Sequence, residues 1–171
     1  GLENFDCFYL QMHEGDSRII LPLKSETQVC SFGNVPRLFV HFPLIGQNYF
    51  GVNFLFHSHR FTPEEPRDNI IVPKDNDATD KAAIANKQVL DEMTKVLWNF
   101  LEAHVYTWTD TINMASLHIK DSGYSEEKTE KYYKELKASW VSEFSKLKLI
   151  DAKRTRYSMN DENHPVVLEP S

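Results

Sequence analysis

The chain has 171 residues, of which 41% are hydrophobic and 26% charged, and its formal net charge at pH 7 is −6. A chain of this size can bury about 70% of its unfolded surface, so it can form a core without disulfides or a metal. The acidic balance argues against nucleic acid or an anionic membrane as the main partner, and no apolar run approaches the roughly 20 residues of a transmembrane helix.

The first part of the chain, residues 1–73, is predicted to be rich in strands. Two β-favouring runs, 5–13 and 18–23, flank the turn signal Glu14-Gly15-Asp16-Ser17, which predicts a hairpin. Further strand candidates are 27–32, 37–42, 49–57 and 69–72. In the run 37–42, the side chains of Leu38, Val40 and Phe42 fall on one face by a period of two.

Residues 74–150 are predicted to be helical, with 151–171 as a tail. Asp80 is a candidate N-cap for a long helix, and a weaker pattern covers 109–119. Ser125 is the candidate cap of a third helix. The apolar stripe of the first helix comprises Ile84, Val89, Leu90, Met93, Val96, Leu97, Phe100 and Leu101, and that of the third comprises Tyr133, Leu136, Trp140, Phe144 and Leu147.

These elements predict a single α+β domain in which a mostly antiparallel sheet from the N-terminal half packs against helices of the C-terminal half in two layers. The chain begins Gly1-Leu2-Glu3 without an initiator Met, and we expect it to be a fragment of a larger protein. No signal peptide is recognisable, so we expect a cytoplasmic protein. Cys7 and Cys30 could pair, but each lies in a strand-like run, and two reduced, buried thiols are the favoured interpretation.

Motifs for self-contained nucleotide chemistry are missing from the sequence. There is no Gly-x-x-x-x-Gly-Lys-Ser/Thr or Gly-x-Gly-x-x-Gly run, no Gly-x-Ser-x-Gly elbow and no His-Glu-x-x-His helix. Only six glycines are present, which leaves little material for a loop that cradles phosphate. The sequence therefore predicts no cofactor bound within this chain.

Several polar clusters have both a functional and a structural interpretation. His57 and His59 would project to one side of a strand and could hold a transition metal with His41, as in a metal-dependent hydrolase, or simply meet solvent at a strand end. The carboxylate pairs Glu64-Glu65 and Asp75/Asp77 fit no calcium loop and are interpreted as solvated loop charges. The basic run 153–156 is interpreted as a solvated edge.

The segment 61–70, with the sequence FTPEEPRDNI, is the most particular one in the chain. Its two prolines hold it extended and prevent a helix from starting before residue 66. A guanidinium on such a preset loop suits bidentate recognition of a phosphate or carboxylate, which makes Arg67 a candidate site residue. The alternative is that Arg67 pairs with Glu64, Glu65 or Asp68 and only stiffens the loop.

Residues 36–72, PRLFVHFPLIGQNYFGVNFLFHSHRFTPEEPRDNIIV, resemble the part that follows the ATP-binding domain in large sacsin-like proteins. Those proteins share the nucleotide-binding fold of gyrase, histidine kinases and the ninety-kilodalton heat-shock chaperones. In them a helix beginning with an Asn-containing turn usually follows, and Asn86 with Val89 and Leu90 is similar to that pattern. The resemblance covers a quarter to a third of the chain and does not extend to residues 107–171.

The same segment is also similar to the middle domain of the ninety-kilodalton heat-shock chaperones, where a Pro-containing stretch ends in Ser-Arg-Glu before a long helix. The resemblance implies that Arg67 reaches the γ-phosphate of ATP bound in the neighbouring domain. Asp68 stands where that family has Glu, and Ile71 where it has Gln. The Asp-x-Gly-x-Gly run of the family's ATP site is absent, so the resemblance implies that ATP and Mg²⁺ bind an upstream domain.

Together these observations predict a middle, transducer-like domain that is not catalytic alone. Its expected partners are the upstream nucleotide-binding domain of the same polypeptide and a possible protein client, without nucleic acid or membrane. The alternative is a stand-alone protein-interaction domain without nucleotide coupling, whose helical half forms the docking surface.

Overall fold

The computed structural model describes residues 8–33, 35–45, 50–65, 67–75, 77, 79–119, 129–152 and 155–157. It has the predicted α+β fold, with a mixed five-stranded sheet from the N-terminal half and two α-helices from the C-terminal half. The strands of the sheet are β1 (Phe8–Glu14), β2 (Ser17–Ser25), β3 (Gln28–Val29), β4 (Leu38–Phe39) and β5 (Leu55–His57).

The predicted hairpin is confirmed as the antiparallel pair β1 and β2. Glu14 lies opposite Ser17 across a two-residue turn, in which Gly15 adopts a φ of +55° that a glycine accommodates without strain. Alternation then sorts the side chains into two faces. Met12 and Ile19 face each other on the buried side, while His13 and Arg18 face each other on the exposed side.

The sheet is ordered β1-β2-β5-β4, and β3 pairs with the far end of β2. The pairings of β2 with β1, β3 and β5 are antiparallel, whereas β4 and β5 run parallel. Several predicted strands are shorter in the structure. Residues 69–72 form only an isolated bridge through Ile70, and the run 37–42 is a strand only at Leu38–Phe39. Phe42 is therefore partly exposed rather than aligned with Leu38 and Val40 in the core.

The long helix α1 spans Lys81–His104, and the predicted cap is confirmed because the Asp80 side chain accepts hydrogen bonds from the backbone of Ala82 and Ala83. Ile84 was expected on the apolar stripe but is 50% exposed. The reason is that Ala83, Asn86 and Leu90 occupy the inward positions of the first turns, which leaves Ile84 on the opposite side of the helix.

The second helix, α2, spans Glu130–Lys146 and follows Thr129 as its N-cap residue. The predicted cap Ser125 lies outside the described residues. The weak helical pattern at 109–119 forms only 3₁₀ helix at Thr111–Ala115. A second hairpin, β6 (Ile150–Ala152) with β7 (Thr155–Tyr157), occupies the start of the predicted tail. Cys7 lies outside the described residues, and Cys30 is half-buried rather than buried.

One core joins the sheet to the helices. Aromatic rings dominate it: Phe54 and Phe56 of the sheet region lie 5.9 and 6.0 Å from Trp140 of α2, measured between ring centroids. The predicted buried face of α2 is thus confirmed as core, with Tyr133, Trp140 and Phe144 each no more than 2% exposed. No helix formed by the described residues has the length and apolar character needed to cross a membrane.

Candidate functional site

The segment 62–71 folds back on itself as a narrow loop beside the sheet. The backbone N–H of Ile71 donates to the carbonyl of Thr62 at 3.1 Å, and that of Glu64 donates to the carbonyl of Asn69 at 2.8 Å. Pro63 and Ile70 face each other as an isolated antiparallel bridge. These bonds make the loop a miniature hairpin with Arg67 at its tip.

A buried asparagine of α1 holds the base of this loop. The side-chain oxygen of Asn86 accepts from the backbone N–H of Thr62, and its nitrogen donates to the carbonyls of Thr62 and Ile71, each at 2.8 Å. Asn86 is fully buried. Its amide therefore binds both arms of the loop in the way a neighbouring strand would, which fixes the loop against α1.

A second asparagine connects the loop to α2. The Asn69 side-chain nitrogen donates to the hydroxyl of Tyr133 at 3.1 Å, and both residues are buried. The Asn69 side-chain oxygen is buried and has no hydrogen-bond partner among the described residues.

Arg67 itself has a backbone φ of +75°, in the left-handed region that a non-glycine residue rarely occupies. The guanidinium carbon lies 5.6 Å from the centroid of the Phe42 ring, and the arginine side chain is 56% exposed. Its Nε lies 3.4 Å from Glu65, whose carboxylate side chain is 80% exposed. The terminal guanidinium nitrogens have no hydrogen-bond partner within the described part of the chain, and the side chain is more than half exposed.

The structure thus decides part of the choice that the sequence left open. Of the three acids that could pair with Arg67, only Glu65 forms an ion pair with it among the described residues, and this pair is long and exposed. Exposed pairs contribute little to stability. The guanidinium also lies within cation–π range of the Phe42 ring, with 5.6 Å between its carbon and the ring centroid.

The other acidic candidate, the Asp75/Asp77 pair, is local loop structure. Asp77 accepts hydrogen bonds from the hydroxyl and the backbone N–H of Thr79 at 2.8 and 3.0 Å. These bonds, above all the one from the Thr79 hydroxyl, lower the pKa of Asp77. Both aspartates are exposed, as expected for solvated loop charges. Lys153 and Arg154 of the basic run lie outside the described residues.

The three histidines singled out in the sequence come together at the carboxyl ends of the parallel strands β4 and β5. The ring centroids of His41 and His59 are 4.6 Å apart, and those of His57 and His59 are 4.7 Å apart. The rings of His41 and His59 stack with 30° between their planes. Among the described residues, no group of three or more His, Cys, Asp or Glu side chains is arranged to hold a metal ion.

Two features of the site had no clear signal in the sequence. The contact between Phe42 and Arg67 depends on where the loop after β4 turns. The hydrogen bond between Asn69 and Tyr133 depends on how α2 is placed. The sequence does indicate Asn86, because an amide at an inward position of an otherwise apolar helix face requires buried hydrogen-bond partners.

Comparison with protein-family models, with curated proteins and with solved structures found no match for this chain.

Proposed function

We propose that this chain is a transducer-like middle domain of a larger ATP-binding protein of sacsin-like or chaperone-like type, and that Arg67 contacts the γ-phosphate of a nucleotide held by an upstream domain. The observation that carries the proposal is the fixed presentation of Arg67. Its loop is bound at the base by Asn86, while its guanidinium remains more than half exposed. A preset guanidinium fork suits the bidentate recognition of phosphate oxygens.

Two local costs at the tip of the loop support a functional rather than a purely structural role. The positive φ of Arg67 lies two residues from the Asn69 side-chain oxygen, which has no hydrogen-bond partner among the described residues. Unfavourable backbone and polar arrangements are found preferentially at sites that must hold a side chain in one place. A loop that served only as a connection would gain stability from a glycine at position 67.

The hydrogen bonds of the loop also offer a route for relaying the state of the nucleotide. Asn86 belongs to α1 and Tyr133 to α2, and both bind the loop directly. A change in the position of Arg67 on binding or loss of a γ-phosphate would therefore act on both helices. In this proposal ATP and Mg²⁺ belong to the upstream domain, where they supply the phosphoryl chemistry, and Arg67 stabilises negative charge on the γ-phosphate oxygens.

The test is ATP turnover by the full-length polypeptide that contains this chain. Arg67→Ala should lower turnover by about 10²-fold or more, since arginines that clamp a transferred phosphoryl group commonly contribute that much. Arg60→Ala is the matched control, because Arg60 is a nearby, 49% exposed arginine that is occupied by Glu92 at 2.6 Å. Equal turnover in the wild type and Arg67→Ala, or a reading frame without an upstream nucleotide-binding domain, would refute the proposal.

A stand-alone protein-interaction domain is the second candidate, and exposed apolar side chains on both helices favour it. Ile84 of α1 and Val141 of α2 are 50% and 51% exposed. In that case Arg67 would stiffen its loop without contacting a nucleotide. Substituting Ile84 and Val141 by Ser would then abolish partner binding, while Arg67→Ala would leave it unchanged.

A further inference from the structure

A row of basic and titratable side chains crosses the exposed face of the sheet, away from the loop of Arg67. His13 of β1 lies opposite Arg18 of β2, and Arg18 in turn lies opposite His57 of β5. Residues that are directly opposite in an antiparallel pair point to the same face. His13, Arg18 and His57 therefore stand side by side across three strands.

The row continues into the histidine cluster at the end of the parallel pair. His57 is the last residue of β5, and its ring contacts that of His59, which stacks on His41. His41 and His59 are both exposed, and His57 is half-buried. Three imidazoles are thereby gathered within ring contact next to the guanidinium of Arg18.

The charged groups that act on His57 are all basic. The pKa of His57 is lowered by partial burial and then by the neighbouring His59, Arg18 and His41, and only a hydrogen bond to the backbone of Val40 opposes these effects. No carboxylate forms an ion pair with Arg18 or with the three histidines in the part of the chain that the structure describes.

Two carboxylates on adjoining elements, Glu14 of β1 and Glu92 of α1, are turned away or already occupied. Glu14 follows His13 in β1 and therefore points to the opposite face of the sheet. Glu92 of α1 binds Arg60 at 2.6 Å and also accepts a hydrogen bond from Gln88. On an acidic chain, four clustered basic groups that have no counter-ion among the described residues form a site that an external anion would satisfy once the imidazoles are protonated.

We propose that His41, His57 and His59, together with Arg18, form a binding site for a doubly charged oxyanion, such as sulfate or a phosphoryl group, that fills as the imidazoles take up protons. The protonated rings would donate N–H groups to the oxyanion, and Arg18 would add a permanent positive charge beside them. The mutual repulsion of the protonated rings disfavours the empty, charged site. A bound dianion removes that repulsion, so binding and proton uptake are coupled.

Sulfate is the sharpest probe of this site, because it stays a dianion across the range in which histidine titrates. Any pH dependence of sulfate binding then comes from the protein. Titration calorimetry on the whole chain should show the dissociation constant for sulfate at pH 6 to be about tenfold lower than at pH 8, since histidine as a residue type takes up its proton within that interval and a bound dianion favours the protonated form. Repeating the titration in buffers of different ionisation enthalpy should show net proton uptake.

Matched variants separate this site from general attraction to the protein surface. His59→Gln removes the central ring of the cluster and should abolish the pH-dependent part of sulfate binding. His104→Gln, which changes an exposed histidine at the end of α1, should leave that binding as in the wild type. Inorganic phosphate and a phosphoserine peptide, used as further probes in the presence of a chelator, distinguish a free anion from a phosphorylated partner.

Three results would overturn the proposal. Sulfate binding that does not change between pH 6 and pH 8, or that His59→Gln and His104→Gln reduce equally, would show that the histidines form no anion site. Binding that disappears with chelator would show that a metal, and not the protonated imidazoles, holds the anion. A circular dichroism spectrum of His59→Gln that matches the wild type ensures that lost binding is not lost folding.

Discussion

Two loops of this molecule each carry an arginine beside a phenylalanine ring, and they use it in opposite ways. The guanidinium carbons of Arg37 and Arg67 lie 5.5 and 5.6 Å from the ring centroids of Phe32 and Phe42. Arg37, however, donates hydrogen bonds to the backbone carbonyls of residues 33, 35 and 52. The Arg67 side chain donates only to the exposed carboxylate of Glu65 among the described residues.

This difference in hydrogen bonding shows that a ligand can reach the guanidinium of Arg67 more easily than that of Arg37. Arg37 is half-buried, and desolvation lowers its pKa, because its fork is turned inward to hold a loop together. Arg67 is turned outward, and its loop is held by other groups instead. Each loop has a buried asparagine clamp, since Asn53 binds the backbone of Cys30 and Phe32 as Asn86 binds that of Thr62 and Ile71.

The largest expected effect comes from removing the clamp of the Arg67 loop. Asn86→Ala deletes three hydrogen bonds to backbone groups, some of which would stay buried without a partner. We expect the free energy of unfolding to fall by about 2–4 kcal/mol, measured by urea denaturation. The control is Asn99→Ala, an exposed asparagine of the same helix, which should change stability by less than about 0.5 kcal/mol. Equal effects of the two substitutions would show that Asn86 does not hold the loop.

Removing the inward arginine should have the next largest effect. Arg37→Ala deletes hydrogen bonds to three backbone carbonyls, and one of these carbonyls belongs to the buried residue Val52. We expect a loss of about 1–2 kcal/mol in the free energy of unfolding, against less than about 0.5 kcal/mol for Arg67→Ala. If Arg67→Ala cost as much as Arg37→Ala, then Arg67 would be a structural residue as well, and the contrast between the loops would fail.

A glycine at the tip should leave the Arg67 loop as stable as in the wild type or slightly more stable. Arg67→Gly relieves the positive φ, which costs a non-glycine residue about 1–2 kcal/mol, but it loses the contact with Phe42 and adds entropy to the unfolded chain. We expect a melting temperature equal to or slightly above that of the wild type, corresponding to 0 to about 1 kcal/mol. A clear decrease in melting temperature would mean that the arginine side chain stabilises its own loop.

The sequence predicted the parts of the fold that depend on local pattern. The turn at Gly15 and the cap at Asp80 were identified, because each rests on residues adjacent in the chain. The strands β3, β4 and β5 are shorter than their β-favouring runs, because pairing partners and not propensity set their ends. Likewise, Arg67 was found as a candidate from its prolines, whereas its stacking partner Phe42 is set by tertiary structure.

The cluster of His41, His57 and His59 illustrates the same limit. Their spacing placed two of them on one side of a strand, but the contact with His41 requires the parallel pairing of β4 with β5. The row with Arg18 and His13 follows from the register of three strands. A sequence gives the alternation within each strand, and only the register shows which alternating positions become neighbours.

The smallest expected effect, and the finest test of the contrast between the two arginines, comes from Glu65. Glu65→Gln removes the charge that competes for Arg67, and because the pair is exposed, stability should change by less than about 0.5 kcal/mol. Inorganic phosphate should nevertheless bind Arg67 about two- to fivefold more tightly, since the guanidinium no longer has to leave a carboxylate. The measurement is the NMR shift of the Arg67 side-chain Nε–H during a phosphate titration at pH 8, which lies above the range in which histidine as a residue type ordinarily titrates. The control is Glu102→Gln, which changes an exposed glutamate near the C-terminal end of α1 and should leave the phosphate affinity unchanged. An unchanged affinity in Glu65→Gln would show that Glu65 does not limit access to Arg67.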